Sequence, residues 1–135
     1  MNHHATAISW NNKGLIFTGP PGCGKSSLAY ELIRQGAILV ADDQVILNEK
    51  NGSWYAICPQ EIKNKLYIRD TGFLHFDAQD KVIIDLIFQS DQTAFPLSQP
   101  PKLGVPVIEM DFHAPDAKQL IVNALTLFDS PPLIP

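Results

Sequence analysis

The sequence predicts an α/β fold with a strand, loop, helix, strand unit near its N-terminal end, a β-rich middle and a closing helix. Three observations carry this. The run GPPGCGKSS at residues 19–27 fits the pattern G-x-x-x-x-G-K-[ST] at every defined position. An apolar stretch leads into it, and a stretch with apolar residues at helical spacing leads out of it. With 135 residues, 45% of them hydrophobic, the chain can bury one modest core and has no room for a second, so residues 1–135 read as a single domain.

Gly14-Leu15-Ile16-Phe17-Thr18 reads as a buried strand that ends at the first motif glycine. A helix is expected from Lys25 to Gln35, because Leu28, Ala29, Leu32 and Ile33 share one face and Gly36 is placed to cap its C-terminus. Ala37 to Ala41 forms a second short apolar strand ending in Asp42-Asp43, which completes a βαβ unit. Val45-Ile46-Leu47 and Trp54-Tyr55-Ala56-Ile57 flank Asn51-Gly52, a pair suited to positive φ, and should form a hairpin. Further extended segments are expected at Leu66-Tyr67-Ile68, Gly72 to Phe76, Val82 to Phe88 and Val105 to Met110. Asp91 to Pro106 carries Pro96, Pro100, Pro101 and Pro106 among Ser and Gln and reads as a loop. The last element is a helix over Pro115 to Phe128, with Leu120, Ile121, Ala124, Leu125 and Phe128 as its apolar face, before a terminal tail from Ser130.

The formal charge is −4 and no block of lysine or arginine appears, which argues against a nucleic-acid partner. The apolar runs Val82-Ile83-Ile84 and Leu86-Ile87-Phe88 are interrupted by Asp85 and fall short of the roughly 20 residues of a membrane span, so no membrane association is expected. The opening MNHHATAISW lacks the regions of a signal peptide, and a cytoplasmic protein is the expectation. Two cysteines, Cys23 and Cys58, are too few for a disulfide framework or a metal cluster; Cys23 reads as a small filler within the glycine motif.

Each position of the motif has a physical task. Glycines let the backbone bend so that successive N–H groups face phosphate oxygens, and the following helix adds its positive end. Residues Gly19, Pro20, Pro21, Gly22, Cys23, Gly24, Lys25, Ser26 and Ser27 are therefore the candidate nucleotide contacts. Lys25 would bridge the β- and γ-phosphates and the Ser26 hydroxyl would ligate Mg²⁺. Asp42 and Asp43 end the strand after the first helix, at the sheet edge where ligands collect in such folds. One carboxylate could hold Mg²⁺, directly or through water, and the other could accept the proton of an attacking hydroxyl.

With those residues placed, the chain resembles the catalytic domain of HPr kinase/phosphorylase. The run GPPGCGKSSLAYELIRQGAILVADD matches that family's loop, helix, strand and acidic pair without a gap. His4 reproduces the spacing of a histidine upstream of the family's loop, and Tyr67-Ile68-Arg69-Asp70-Thr71-Gly72-Phe73-Leu74 partly matches a later family segment, so the resemblance runs from about His4 to Phe76. It implies a P-loop kinase fold of the HPr kinase / phosphoenolpyruvate carboxykinase type. It also implies ATP and Mg²⁺ as cofactors, and phosphorylation of a serine of HPr or a related phosphocarrier that regulates carbon or nitrogen use. Under it Asp43 is the general base, Lys25 stabilises the transferred group, and Ser26 with Asp42 serves the metal. His4 neighbours the acidic pair, and Arg69 stabilises charge or conformation nearby.

Departures from the family pattern shape the expectation. Tyr67 stands where the family has a glutamate that assists with magnesium, and Ser27 where a glutamate often follows the loop serine. Asp111-Phe112-His113-Ala114-Pro115-Asp116 occupies roughly the place of a basic stretch tied to dephosphorylation and carries no arginine, so phosphorylase activity is expected to be weak or absent. The chain looks like the truncated form found in some proteobacteria, without the N-terminal domain of the longer enzymes. The resemblance also implies a homo-oligomer, commonly a hexamer. Two rivals share the loop: a small-molecule kinase, and a nucleotide-binding regulatory module without catalysis. Lys63, Lys65 and Arg69 are the only basic cluster, a poor basis for a metabolite clamp.

Overall fold

A computed structural model describes residues 2–68, 71–91 and 104–129. Its elements are strands β1 (Asn2–His3), β2 (Ala5–Trp10), β3 (Lys13–Thr18), β4 (Ile38–Ala41), β5 (Val45–Lys50), β6 (Ser53–Ile57), β7 (Lys65–Ile68), β8 (Gly72–His75), β9 (Lys81–Ser90) and β10 (Val107–Met110), and helices α1 (Lys25–Ile33) and α2 (Ala117–Asp129). Among the described residues, seven strands run in the order β1-β5-β6-β9-β3-β2-β4, with β10 added on β9; β7 and β8 pair separately.

The strand β2 was not anticipated, and it alters the expected βαβ unit. It pairs antiparallel with β3 on one side and with β4 on the other. β3 and β4 therefore run the same way, as a βαβ unit requires, but they are not neighbours. The reason is local: Asn11 and Asn12, at φ 51° and 64°, close a tight turn that returns the chain beside β2 before α1 is reached. Asn51 and Gly52, at φ 54° and 82°, close the expected β5–β6 hairpin in the same manner.

Alternation divides the apolar residues between two faces of the sheet, with β9 exchanging faces at the register shift beside Asp85. Ile8, Leu15, Phe17, Leu86 and Phe88 pack under Leu28, Ala29 and Leu32 of α1 and Ala117, Ile121 and Leu125 of α2. Ala5, Ala7, Ile16, Val40, Ile84 and Ile87 face the other way, against Val45 and Ala56 of the β5–β6 ribbon. Phe17 is the centre of the first core, stacked on Phe88 at 5.4 Å and edge-on to Phe112 at 5.8 Å. Asp85 interrupts the apolar run of β9 because its carboxylate accepts the Gly14 N–H at 2.9 Å, where the β3–β9 ladder shifts register.

Other boundaries hold with small shifts. α1 stops at Ile33, and Gly36, at φ 107°, lets the Ala37 N–H return to the Leu32 carbonyl at 3.0 Å. In α2, Leu120 is 41% exposed, so the buried stripe is Ala117, Ile121 and Leu125 rather than one that includes Leu120. The side chain of Phe128 lies outside the described residues, as do Arg69, most of the expected proline-rich loop and the tail from Ser130. Cys23 and Cys58 are buried free thiols.

Strand direction positions the functional residues. β3, β4, β9 and β10 all run the same way, so their C-terminal ends lie along one edge. β2 runs against them and begins at that edge, with Ala5 opposite Thr18. His4, the loop after β3, the acidic pair after β4 and the turn after β10 are brought together by this arrangement.

Candidate active site

The glycine loop leaves β3 at Thr18 and enters α1 at Lys25. Its apex is a tight turn in which the Cys23 N–H reaches the Pro20 carbonyl at 3.2 Å; Gly22, at φ 82°, occupies the position that favours glycine. Cys23 is buried in the core beneath the loop, as a filler residue should be. Gly24, at φ 102°, takes the N-cap position, where a Cβ would meet the His113 ring at 3.2 Å and Phe112 Cβ at 3.4 Å. Lys25 is buried, and its ammonium donates to the carbonyls of Gly19 at 2.7 Å and Pro20 at 3.2 Å.

The two aspartates are adjacent in sequence and opposite in environment. Asp42 is buried and accepts three hydrogen bonds: from the Thr6 hydroxyl at 2.9 Å and the Ser26 hydroxyl at 2.7 Å on Oδ1, and from the Tyr67 N–H at 3.0 Å on Oδ2. Asp43 adopts φ 73°, a left-handed conformation that aspartate tolerates better than most residues. The reversal turns its side chain out of the core, where Oδ1 lies 2.6 Å from His4 Nε2 with both side chains largely exposed.

An open cleft of about 460 Å³ joins these groups; Gly22, Lys25, Ser26, Asp42, Asp43, Tyr67 and His113 are among the residues that line it. Ser27 lies in the first turn of α1 and also lines the cleft. The sequence-predicted candidates Lys25, Ser26, Asp42, Asp43 and His4 thus converge, while Arg69 lies outside the described residues. Of the basic residues noted in the sequence, Lys63 pairs with Asp80 at 2.8 Å, a hydrogen bond that raises its pKa, and Lys65 lines a smaller pocket with Ser26, Asp42 and Asp43.

Two residues of the site escaped sequence reasoning. Thr6 is fully buried and bonded to Asp42. Its signal was the alternation Ala5-Thr6-Ala7-Ile8 ahead of the Asn-Asn turn, which marks a strand with one polar inward position. His113 Nε2 lies 2.9 Å from the Gly22 carbonyl. Nothing near it in sequence identifies it, because its role depends on β10 lying parallel to β9.

The donor set fits a magnesium ion delivered with a nucleotide. The Ser26 hydroxyl donates its hydrogen bond to Asp42, which leaves the serine oxygen's lone pairs for a cation. Asp42 Oδ2, accepting one N–H, retains capacity for a metal-bound water. Among the described residues no group of three His, Cys, Asp or Glu side chains forms a cation cage. No helix among the described residues is long and apolar enough to cross a membrane.

Fold and site together define a mixed α/β protein in which a glycine loop faces an acidic pair across one sheet edge. Residues 1–79 match the family model of the HPr Serine kinase C-terminal domain, and the chain belongs to that family. The HPr kinase/phosphorylase of Bordetella pertussis is 47% identical over 72 residues, and that of Mycoplasmopsis pulmonis is 31% identical over 71. Each match covers 53% of this chain and 23% of the relative's length, so these curated relatives are matched over about a quarter of their length. The structure of the Hpr(Ser) kinase/phosphatase from Coxiella burnetii aligns with a TM-score of 0.79 over 96% of both chains at 22% identity, which extends the common fold beyond residue 79.

Proposed function

We propose that this chain is an ATP-dependent serine kinase whose acceptor is HPr or a related phosphocarrier, with phosphorylase activity weak or absent. One observation carries the reading: the glycine loop, a buried carboxylate bonded to the loop serine and an exposed carboxylate bonded to a histidine share one cleft.

In this reading the loop N–H groups and the N-terminus of α1 bind the phosphate chain. Lys25 stays with the transferring group and stabilises charge as the bond to ADP breaks. Ser26, and Asp42 through a water, would hold magnesium, which would supply charge neutralisation at the phosphate oxygens. Asp43 accepts the proton from the acceptor serine as its oxygen bonds to the γ-phosphorus. His4 holds the Asp43 carboxylate in one orientation, so that little reorganisation is needed when the acceptor arrives. We extend the reading, as the resemblance implies, to a cytoplasmic protein that works as a homo-oligomer.

The test is transfer of labelled phosphate from ATP to a serine of a purified HPr-type carrier. Label should appear with the wild-type chain and fall by about 10²–10⁴ in Asp43→Asn, the usual cost of losing a general base. Labelling that persists in the variant would remove Asp43 as base. A second reading, a nucleotide-binding regulatory module, is favoured by Tyr67: a phenol lines the cleft where a further carboxylate would assist the metal. ATP binding without transfer to any carrier would select it.

A further inference from the structure

The turn between β10 and α2 is built to deliver one side chain to the glycine loop. Phe112 anchors it, buried and edge-on to Phe17 in the strand that leads into the loop. Asp111 shapes it, its Oδ1 accepting the His113 N–H at 2.9 Å. His113 then projects over the loop, with Nε2 2.9 Å from the Gly22 carbonyl. A carbonyl only accepts, so Nε2 carries the hydrogen in this bond.

The bond completes the restraint of one peptide unit. The Gly22–Cys23 peptide is tied at its N–H by the Pro20 carbonyl and at its oxygen by His113, so it cannot rotate without breaking two hydrogen bonds. Such rotation is the cheap motion of a glycine turn, because Gly22, at φ 82°, has no side chain to resist it. The fit is mutual: Gly24 leaves room for the imidazole, which a Cβ there would meet at 3.2 Å.

We propose that His113 is a positioning residue for nucleotide binding: it locks the apex of the phosphate loop through the Gly22 carbonyl, from a part of the chain outside the family-matched residues 1–79. The inference rests on the nucleotide-binding reading above. An acceptor on the loop meets a fixed donor, so the entropy of ordering the apex is already spent when phosphate arrives.

The experiment is calorimetric titration of MgATP into the wild-type chain, His113→Ala and His113→Gln, with thermal unfolding of each. Losing one exposed hydrogen bond should weaken MgATP about three- to fivefold in the alanine variant, with the unfolding midpoint near wild type. Glutamine keeps an N–H donor of similar reach and should restore binding to within about twofold. Alanine binding as tightly as wild type, or glutamine binding as weakly as alanine, overturns the inference. A wild-type chain that binds no MgATP overturns the underlying reading and the inference with it.

Discussion

If Asp42 serves a magnesium ion as proposed, one atom of its side chain separates stability from metal binding. Asp42→Ala orphans three donors at once: the Thr6 hydroxyl, fully buried, and the Ser26 hydroxyl and Tyr67 N–H beside the cleft. A buried donor left unpaired costs roughly 1–3 kcal/mol, while donors that can find water cost less, so the sum is about 3 kcal/mol. For a chain of this size that lowers Tm by about 10 °C. Asp42→Asn behaves differently. The Tyr67 N–H cannot change into an acceptor, so the amide must present its oxygen there and its NH₂ to the two hydroxyls, which can rotate to accept. The fold then loses only about 1 kcal/mol. The Ser26 hydroxyl, however, now spends a lone pair on the amide and turns its hydrogen toward the metal position. Outer-shell changes of this kind cost about 10–100-fold in metal affinity. Denaturant unfolding, together with ATP titrations across a magnesium series, should show Asp42→Asn stable but needing about 10–100-fold more magnesium for the same gain in ATP affinity. An asparagine variant whose ATP affinity still gains from magnesium as wild type does would refute the argument.

Three further outcomes follow from the geometry. Lys25→Ala should abolish measurable ATP binding and phosphate transfer, because the ammonium is the loop's cation and also ties the Gly19 and Pro20 carbonyls; unchanged affinity in a titration would remove the phosphate-loop assignment. Phe17→Ala should cost about 3–5 kcal/mol in denaturant unfolding, since Phe17 is fully buried and joins β3 to Phe88 and Phe112; a loss under about 1 kcal/mol would contradict the packing. Burial first, then the Asp80 carboxylate, pushes the Cys58 thiol above its ordinary value, so less thiolate exists at pH 8 and alkylation, followed by site-resolved mass spectrometry, should be slow and still rising past pH 9. Alkylation as fast as in the urea-unfolded chain would show that the site is open.

Much of this protein was legible because its signals are local. The loop motif, the strand before it, α1 with its Gly36 cap and the Asn51-Gly52 hairpin each depend on residues within about a dozen positions, and each appears where the pattern placed it. Strand β2 is weakly marked although Asn11-Asn12 closes its turn, because its buried residues Ala5, Thr6 and Ala7 are small or polar and make no strong apolar run. Leu120 was misassigned because helical spacing alone accepts two adjacent apolar residues, and packing against the sheet chose Ile121 instead.

Residue types and their order already specify a glycine loop, an acidic pair and the family to which they belong, since those properties reside in short contiguous runs. Pairings across the sheet are of another kind. That Asp42 would be buried under Thr6 and Ser26 while Asp43 turns outward to His4 depends on β2 running between β3 and β4 and on one left-handed residue. That His113 would reach Gly22 across 91 positions depends on β10 running parallel to β9. Such contacts are made by whole strands meeting in register, and a strand's neighbours are selected by burial summed over the sheet, which no single stretch of sequence records.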